Sequence, residues 1–365
     1  MPFTPYLSGS SVLSMPSDSV LRTWLPSHGK DVLAVWPDAY NCEIENERWS
    51  TCLPWEQMGR GYNRCVTQTS FEQYTVNYAF AALFDAIPSN GTNTGVVVYS
   101  VNSAAGYERK MRNMWAMLRY IKSYPTDDEI NDGALGPHVS TGTFWNQVVP
   151  TIYSVAAKIN LLDWNLRLWN YNHTEVYTEG VLTATDCWPH TVCCPENRFL
   201  QRILKSGKYT EFVVKGEYTI ALAPGFPVDY CGPHIAIRHD GRLFNEETAR
   251  RRNYYISEFG LGDKAYIGCP EMLTEKKGKT ADLTDDELLW NFTLQHYRGR
   301  VEHLISELVQ SRAALNQRWR GNFALLAAIM KISAHMVGLQ ERMKGPRYDC
   351  FGPWPVFPDR VVPFL

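Results

Sequence analysis

The sequence predicts an α/β protein, a mixed sheet flanked by helices, preceded by a mainly helical region. Three observations carry this. Apolar residues recur at helical spacing up to Leu162, and β-rich stretches begin after it. Two of those stretches are joined by Pro224-Gly225, a turn that pairs neighbouring strands antiparallel. Beyond them lies a long helical pattern with its own start signal, Thr284 and Glu287, spaced as a capping box.

Residues 1–65 are rich in Pro, Ser and Trp without a clean period, and read as an extended arm or cap. Over 71–87, Phe71, Tyr74, Tyr78, Ala81 and Phe84 recur at three- and four-residue steps, one face of a helix. Asn90-Gly91 then marks a turn. A second helix is expected over 107–122, with Met111, Met114, Leu118 and Ile121 on one face. Pro125-Thr126-Asp127-Asp128-Glu129 has the acids of a helix start, and Gly136-Pro137 breaks that helix. Ser140 or Thr141 can cap a further helix through Trp145, Val148, Ile152 and Val155, kinked or interrupted by Pro150. This order has a helix-turn-helix outline. An ordinary helical bundle is the preferred reading, because Lys158 is the one basic residue on the would-be recognition helix.

β-rich stretches follow at 176–186, 209–223 and 227–239. Next come a helix over 244–256, a strand over 257–262, a polar loop over 269–282, a long helix over 285–308 and another over 322–339. Strands, a helix, a strand and then helices is the order of an RNase H-like α/β domain. The organisation read from this is an arm (1–65), a helical region (66–165), an RNase H-like domain (166–340) and a tail (341–365).

Composition narrows the function classes. With 45% hydrophobic and 20% charged residues and a net charge of −2, the chain reads as globular, with no overall basicity. A nucleic-acid surface would have to be a local patch. No run approaches eighteen apolar residues, so no membrane association is expected, and the start of the chain lacks the charge and apolar pattern of a secretory signal. Nine cysteines, an odd count, suit a reducing compartment better than a disulfide framework. Cys42, Cys52 and Cys65 are spaced too widely for a zinc site. Cys187, His190, Cys193 and Cys194 are dense but match no common zinc spacing, and free thiols are favoured.

Four acids carry the chemistry. Asp186, Asp240 and Asp263 each end a strand-like run, and Glu302 lies on the long helix. Carboxylates converging from three strand ends and a helix can hold one or two Mg²⁺ or Mn²⁺ ions, the hard cations that serve phosphodiester chemistry. Arg298 is four residues before Glu302 and shares its helix face. It can orient Glu302 or touch a phosphate. Lys208, Lys215 and Arg250, Arg251 and Arg252 are further phosphate candidates.

Over about 143–338 the chain resembles the catalytic domain of Harbinger/PIF-type DDE transposases and their relative, the Harbinger transposase-derived nuclease. Four pieces, in order, carry the resemblance. They are the run 180–186 ending in Asp186, then Ser206-Gly207-Lys208-Tyr209 with Val214-Lys215-Gly216-Glu217-Tyr218. Next come Arg238-His239-Asp240 with Gly262-Asp263-Lys264-Ala265-Tyr266-Ile267-Gly268, and last Asn291 with Arg298-Gly299-Arg300-Val301-Glu302. The resemblance implies a metal-dependent DNA endonuclease or transposase, with Asp186, Asp263 and Glu302 as the catalytic triad. Asp240 would be an additional metal ligand, and two ions would sit at the site. It also implies DNA as partner, with Lys208, Lys215 and Arg298 as contacts, a Myb-like helper protein, a nuclear or cytoplasmic location, and room for a homo-oligomer. The alternative is a domesticated, catalytically silent derivative that binds DNA or protein. Three departures stand out: Leu308-Val309-Gln310 where relatives often carry Lys, Cys187-Trp188-Pro189 after the first Asp, and Ala265 in place of Gly.

Overall fold

Strand β1 (Val181–Thr191) is the centre of the sheet: it carries Asp186, pairs with the strand that leads to Asp263, and packs against the helix that carries Glu302. The computed structural model describes residues 69–344, except 72, 89–103, 137–138, 169–179, 209, 249–251, 253 and 255–257. The expected arm over 1–65, the end of the tail and Cys42, Cys52 and Cys65 lie outside the described residues. So do the Asn90-Gly91 turn, Tyr209, Arg250, Arg251 and the first part of the strand expected over 176–186.

The helical region forms as its spacing dictates. Helix α1 is Gln73–Leu83, α2 is Ala104–Ser123 and α3 is Asp127–Asn131. Thr126 and Glu129 close a capping box on α3, satisfying two backbone donors that the helix start would leave bare. Ser140 caps the next helical turn by accepting from the Thr143 amide. Five residues of wider π-helix, Phe144–Val148, lead into α4 (Val149–Lys158). Pro150 follows the π-helix at once, inside one continuous helical run from Thr141, so the expected interruption takes the form of this wider turn ahead of the proline.

The sheet has five strands in the order β3-β2-β1-β4-β5, where β2 is Val213–Ala221, β3 is Pro227–Ile235, β4 is Phe259–Leu261 and β5 is Met272–Leu273. β1, β2 and β3 run antiparallel, while β4 and β5 are parallel to β1, so the sheet is mixed. The turn at Pro224-Gly225 joins β2 to β3 as its sequence predicts. Two expectations shift. β1 continues five residues past Asp186, to Thr191, and that acid lies mid-strand rather than at its end. Asp240 opens the short helix α6 (Asp240–Leu243) instead of closing β3, which stops at Ile235. β5 and helix α5 (Arg198–Leu204) have no counterpart in the sequence reading.

Helix α7 (Asp285–Gln310) packs on β1, β2 and β4, with Thr284 and Glu287 forming the expected capping box. Its buried stripe, Trp290, Leu294, Val301, Leu304, Ile305 and Leu308, follows three- and four-residue steps. Each fully buried Leu or Ile contributes roughly 1.5–3 kcal/mol, so this stripe fixes the rotation of the helix over the sheet. The chain then passes through α8 (Ala313–Asn316) to α9 (Phe323–Lys344), which packs on β3 and α4. Within α9, Phe323–Arg342 is long and apolar enough to cross a membrane, but 78% of its most apolar window is buried inside the protein. Tyr124, after α2, stacks on Trp319 with centroids 4.8 Å apart. One hydrophobic core runs from Phe71 to Leu339 and unites the helical region with the sheet.

Candidate functional site

Side chains alternate along β1, and Asp186 and Cys187 therefore open onto opposite faces of the sheet. Asp186 shares its face with α7. Its Oδ2 accepts from Arg298 Nη1 at 3.2 Å, and its Oδ1 accepts from the Cys187 amide at 2.8 Å. The other terminal nitrogen of Arg298 reaches Glu302 at 2.6 Å. Arg298 follows Leu294 by four residues and precedes Val301 by three, so it lies on the buried stripe and points at the sheet. One turn on, Glu302 sits at the edge of the stripe with half its side chain exposed.

Asp263 follows β4 at once, past Gly262, and caps a single 3₁₀ turn (Lys264–Tyr266) by accepting from the Ala265 amide at 2.8 Å. Because β4 is parallel to β1 and pairs with it at Ala184, this turn emerges beside Asp186. The charges register on one another. Burial pushes the Asp186 carboxyl from an ordinary 3.8 up to about 6; Arg298 pulls it down, Asp263 raises it, the Cys187 amide lowers it and Glu302 raises it. Three of the four expected acids, one each from β1, the β4 end and α7, therefore act on one another at Asp186, and one guanidinium bridges two of them.

Asp240 is held apart. Its Oδ1 accepts from Lys215 Nζ at 2.5 Å, and the same ammonium also donates to the Arg238 carbonyl. Lys215 lies on β2 with the alternation of Glu217 and Thr219, which face away from α7. Asp240 acts on the Cys187 thiol but is not among the charges that move Asp186. It is anchored from below as well: a Cβ at Gly241 would meet the Ala265 carbonyl at 2.6 Å, so the start of α6 lies hard against the 3₁₀ turn.

The face behind Asp186 is a buried polar network that the sequence reading did not single out. Glu217, 1% exposed, accepts from the Thr248 hydroxyl and from Tyr266 Oη at 3.4 Å, and the Cys187 thiol points at it from 3.8 Å. Thr185 and Thr219 exchange a hydroxyl bond at 2.9 Å beside it. The alternation of Lys215, Glu217 and Thr219 on β2 is the signal that could have found it.

Of the expected phosphate contacts, Lys215 and Arg298 are engaged in ion pairs, Lys208 is exposed, and Arg252 binds Asp229 at 2.5 Å. Cys187, Cys193 and Cys194 are free thiols. His190 is buried between the Leu315 carbonyl and the Tyr218 hydroxyl, and burial lowers it to about 4. Asn291 reaches back to the chain after β5, accepting from the Lys276 amide at 2.7 Å and donating to its carbonyl at 3.2 Å.

In kind, the donors around Asp186 suit a hard divalent cation: three carboxylates on three elements and no sulfur or imidazole among them. Among the described residues, however, no three Asp, Glu, His or Cys side chains are grouped closely enough to hold a metal ion. Arg298 is the cation that stands between Asp186 and Glu302. Comparison with family models, with curated proteins and with solved structures found no match.

Proposed function

We propose that this chain is a divalent-metal-dependent nuclease of the DDE type on an RNase H-like fold. Asp186, Asp263 and Glu302 would hold the ion. The observation that carries the reading is the placement of Asp186, Asp263 and Glu302 by β1, the end of β4 and α7; burial, and after it the charges of Asp263 and Glu302, raise the Asp186 carboxyl to about 6 against the pull of Arg298. A partly buried carboxylate raised in this way, with two further acids acting on it, is a functional-site candidate of the kind that an added cation would complete. The sheet order β3-β2-β1-β4-β5, an antiparallel meander followed by two parallel strands, is compatible with the RNase H-like arrangement.

A bound Mg²⁺ or Mn²⁺ ion, or a pair of them, would supply the charge that activates water and neutralises the leaving oxygen of a phosphodiester. The chain's own residues do the rest. β1 and the β4 end present two carboxylates from rigid backbone, and the α7 stripe sets the height of the third. Lys208, exposed beside the hairpin, is the candidate phosphate contact among the expected lysines. DNA as substrate, a transposase-like joining step, a Myb-like helper and a nuclear location belong to this proposal as consequences of the family resemblance. Asp240 has no part in the ion's donor set here, because Lys215 already neutralises it on the other face.

A second reading has one specific observation behind it. Arg298 already bridges Asp186 and Glu302, as expected of a silent derivative that has kept the fold and closed the site. Cleavage of labelled duplex DNA with Mg²⁺, Mn²⁺ or EDTA, beside Asp263→Ala and Glu302→Ala, separates the two. Metal-dependent nicking lost in both variants is the expected outcome. Absence of nicking together with absence of Mn²⁺ binding by calorimetry would leave the silent derivative standing.

A further inference from the structure

We propose that Arg298 is the gate of the acidic site: an internal cation that must leave Asp186 and Glu302 before a divalent ion can enter. The inference rests on the metal-dependent reading above and adds the residue that controls loading.

Three observations converge on it. The guanidinium spans the pair, with one terminal nitrogen 3.2 Å from Asp186 and the other 2.6 Å from Glu302. An ion binding those oxygens and the guanidinium would compete for the same lone pairs. The clamp is also incomplete. Arg298 Nε is buried and has no hydrogen-bond partner among the described residues, so this position leaves one donor unsatisfied. A bound state that wastes a donor is easier to leave than one that uses all five. Finally, the outer end of the clamp is open: Glu302, the carboxylate held by the second terminal nitrogen, has half its side chain exposed to solvent. Arg298 is a positioning residue in this role: it acts on the ion through the carboxylates it holds.

The gate and a purely structural bridge predict opposite signs. If Arg298 competes with the ion, removing its charge strengthens metal binding. If its service is to hold α7 onto β1 so that the acids meet, removing it weakens binding. Titration calorimetry of the full chain with Mn²⁺ reads this directly, with no need for catalysis. Arg298→Met keeps the aliphatic stem and is expected to bind Mn²⁺ at least tenfold more tightly than the wild type. Equal or weaker binding by that variant, with the wild type binding, overturns the gate and leaves the metal reading intact. Binding by neither overturns both. Circular dichroism checks the fold. Should Arg298→Met fail to fold, Arg298→Lys serves instead. A shorter reach and a compact ammonium do not reproduce the planar fork with which the guanidinium spans the two carboxylates. Tighter Mn²⁺ binding than the wild type is then expected, and an unchanged or weaker affinity overturns the gate.

Discussion

Asp186 and Cys187 are adjacent on β1, yet the two faces they open onto treat negative charge in different ways. On the α7 face, Arg298 binds Asp186 and Glu302, Asp263 adds a third negative charge that acts on Asp186, and Asp186 is lifted to about 6. On the opposite face each acid has its own donor. Glu217 has the hydroxyls of Thr248 and Tyr266, Asp240 has Lys215, and Asp229 has Arg252. Burial holds the Cys187 thiol and the Tyr266 phenol well above their usual ranges, so both stay protonated and can donate to Glu217. Carboxylates that each have their own donor have no use for a ligand. A set left in negative excess, partly open to solvent, does. That contrast separates a site from its support where residue type alone cannot, since carboxylates stand on both sides.

The largest effect is expected on the supporting face. Glu217→Ala removes a fully buried carboxylate and strands the Thr248 and Tyr266 hydroxyls that donate to it. Orphaned buried donors and the cavity together should cost on the order of 3 kcal/mol, read as a lower urea midpoint with an unchanged slope. A loss below about 1 kcal/mol would mean that the network is not structural, and the contrast between the faces would fail.

On the other face the same kind of change should stabilise the protein. The native carboxyl of Asp186 titrates near 6 against an ordinary 3.8, so the fold favours its protonated form. The sign follows from proton counting: the native state holds more protons than the unfolded chain between those values. Its contribution is therefore intact below about pH 4 and is lost as pH rises through 6. Asp186→Asn keeps the shape without the charge. It is expected to be more stable than the wild type at pH 8 by up to about 3 kcal/mol, and no more stable at pH 3.5. The pairing of Asp186 with Arg298 works against this gain. A variant less stable than the wild type at pH 8 would show that the ion pair outweighs the cost of burial.

How far this contrast could be read in the sequence depended on distance along the chain. The capping boxes at Thr126–Glu129 and Thr284–Glu287 are local, and both formed as read. The pair Arg298–Glu302, one helical turn apart, was equally legible. Its link to Asp186, 112 residues away, was not, because no local pattern encodes how α7 is rotated over β1. The continuation of β1 past Asp186 was not legible either, because the stretch beyond it contains Pro189, and proline suits an edge strand and disrupts a central one. β1 is central only as far as Ala184, where β4 stops pairing; beyond it, β2 alone pairs, out to Thr191, and Pro189 lies on that one-sided stretch. β5 has two residues, too few for any periodicity to register.

Asp240 gives the smallest effect and the sharpest test. Sequence placed it with the other three acids; the structure pairs it with Lys215 of β2, on the face of the sheet opposite Arg298. Asp240→Asn removes the negative charge from an ion pair whose members are 13% and 25% exposed, leaving the Lys215 ammonium with neutral acceptors only, the new amide oxygen and the Arg238 carbonyl. About 1–2 kcal/mol of stability should go, the usual cost of removing one charge from a partly buried charged bond. Mn²⁺ affinity should not move, since the charge of Asp240 does not reach Asp186. Calorimetry on this variant beside Glu302→Gln reads the two faces separately. Loss of Mn²⁺ binding in Glu302→Gln alone keeps them distinct. Loss in Asp240→Asn as well would mean that Lys215 releases Asp240 when the ion enters, so that the two faces act as one four-carboxylate site.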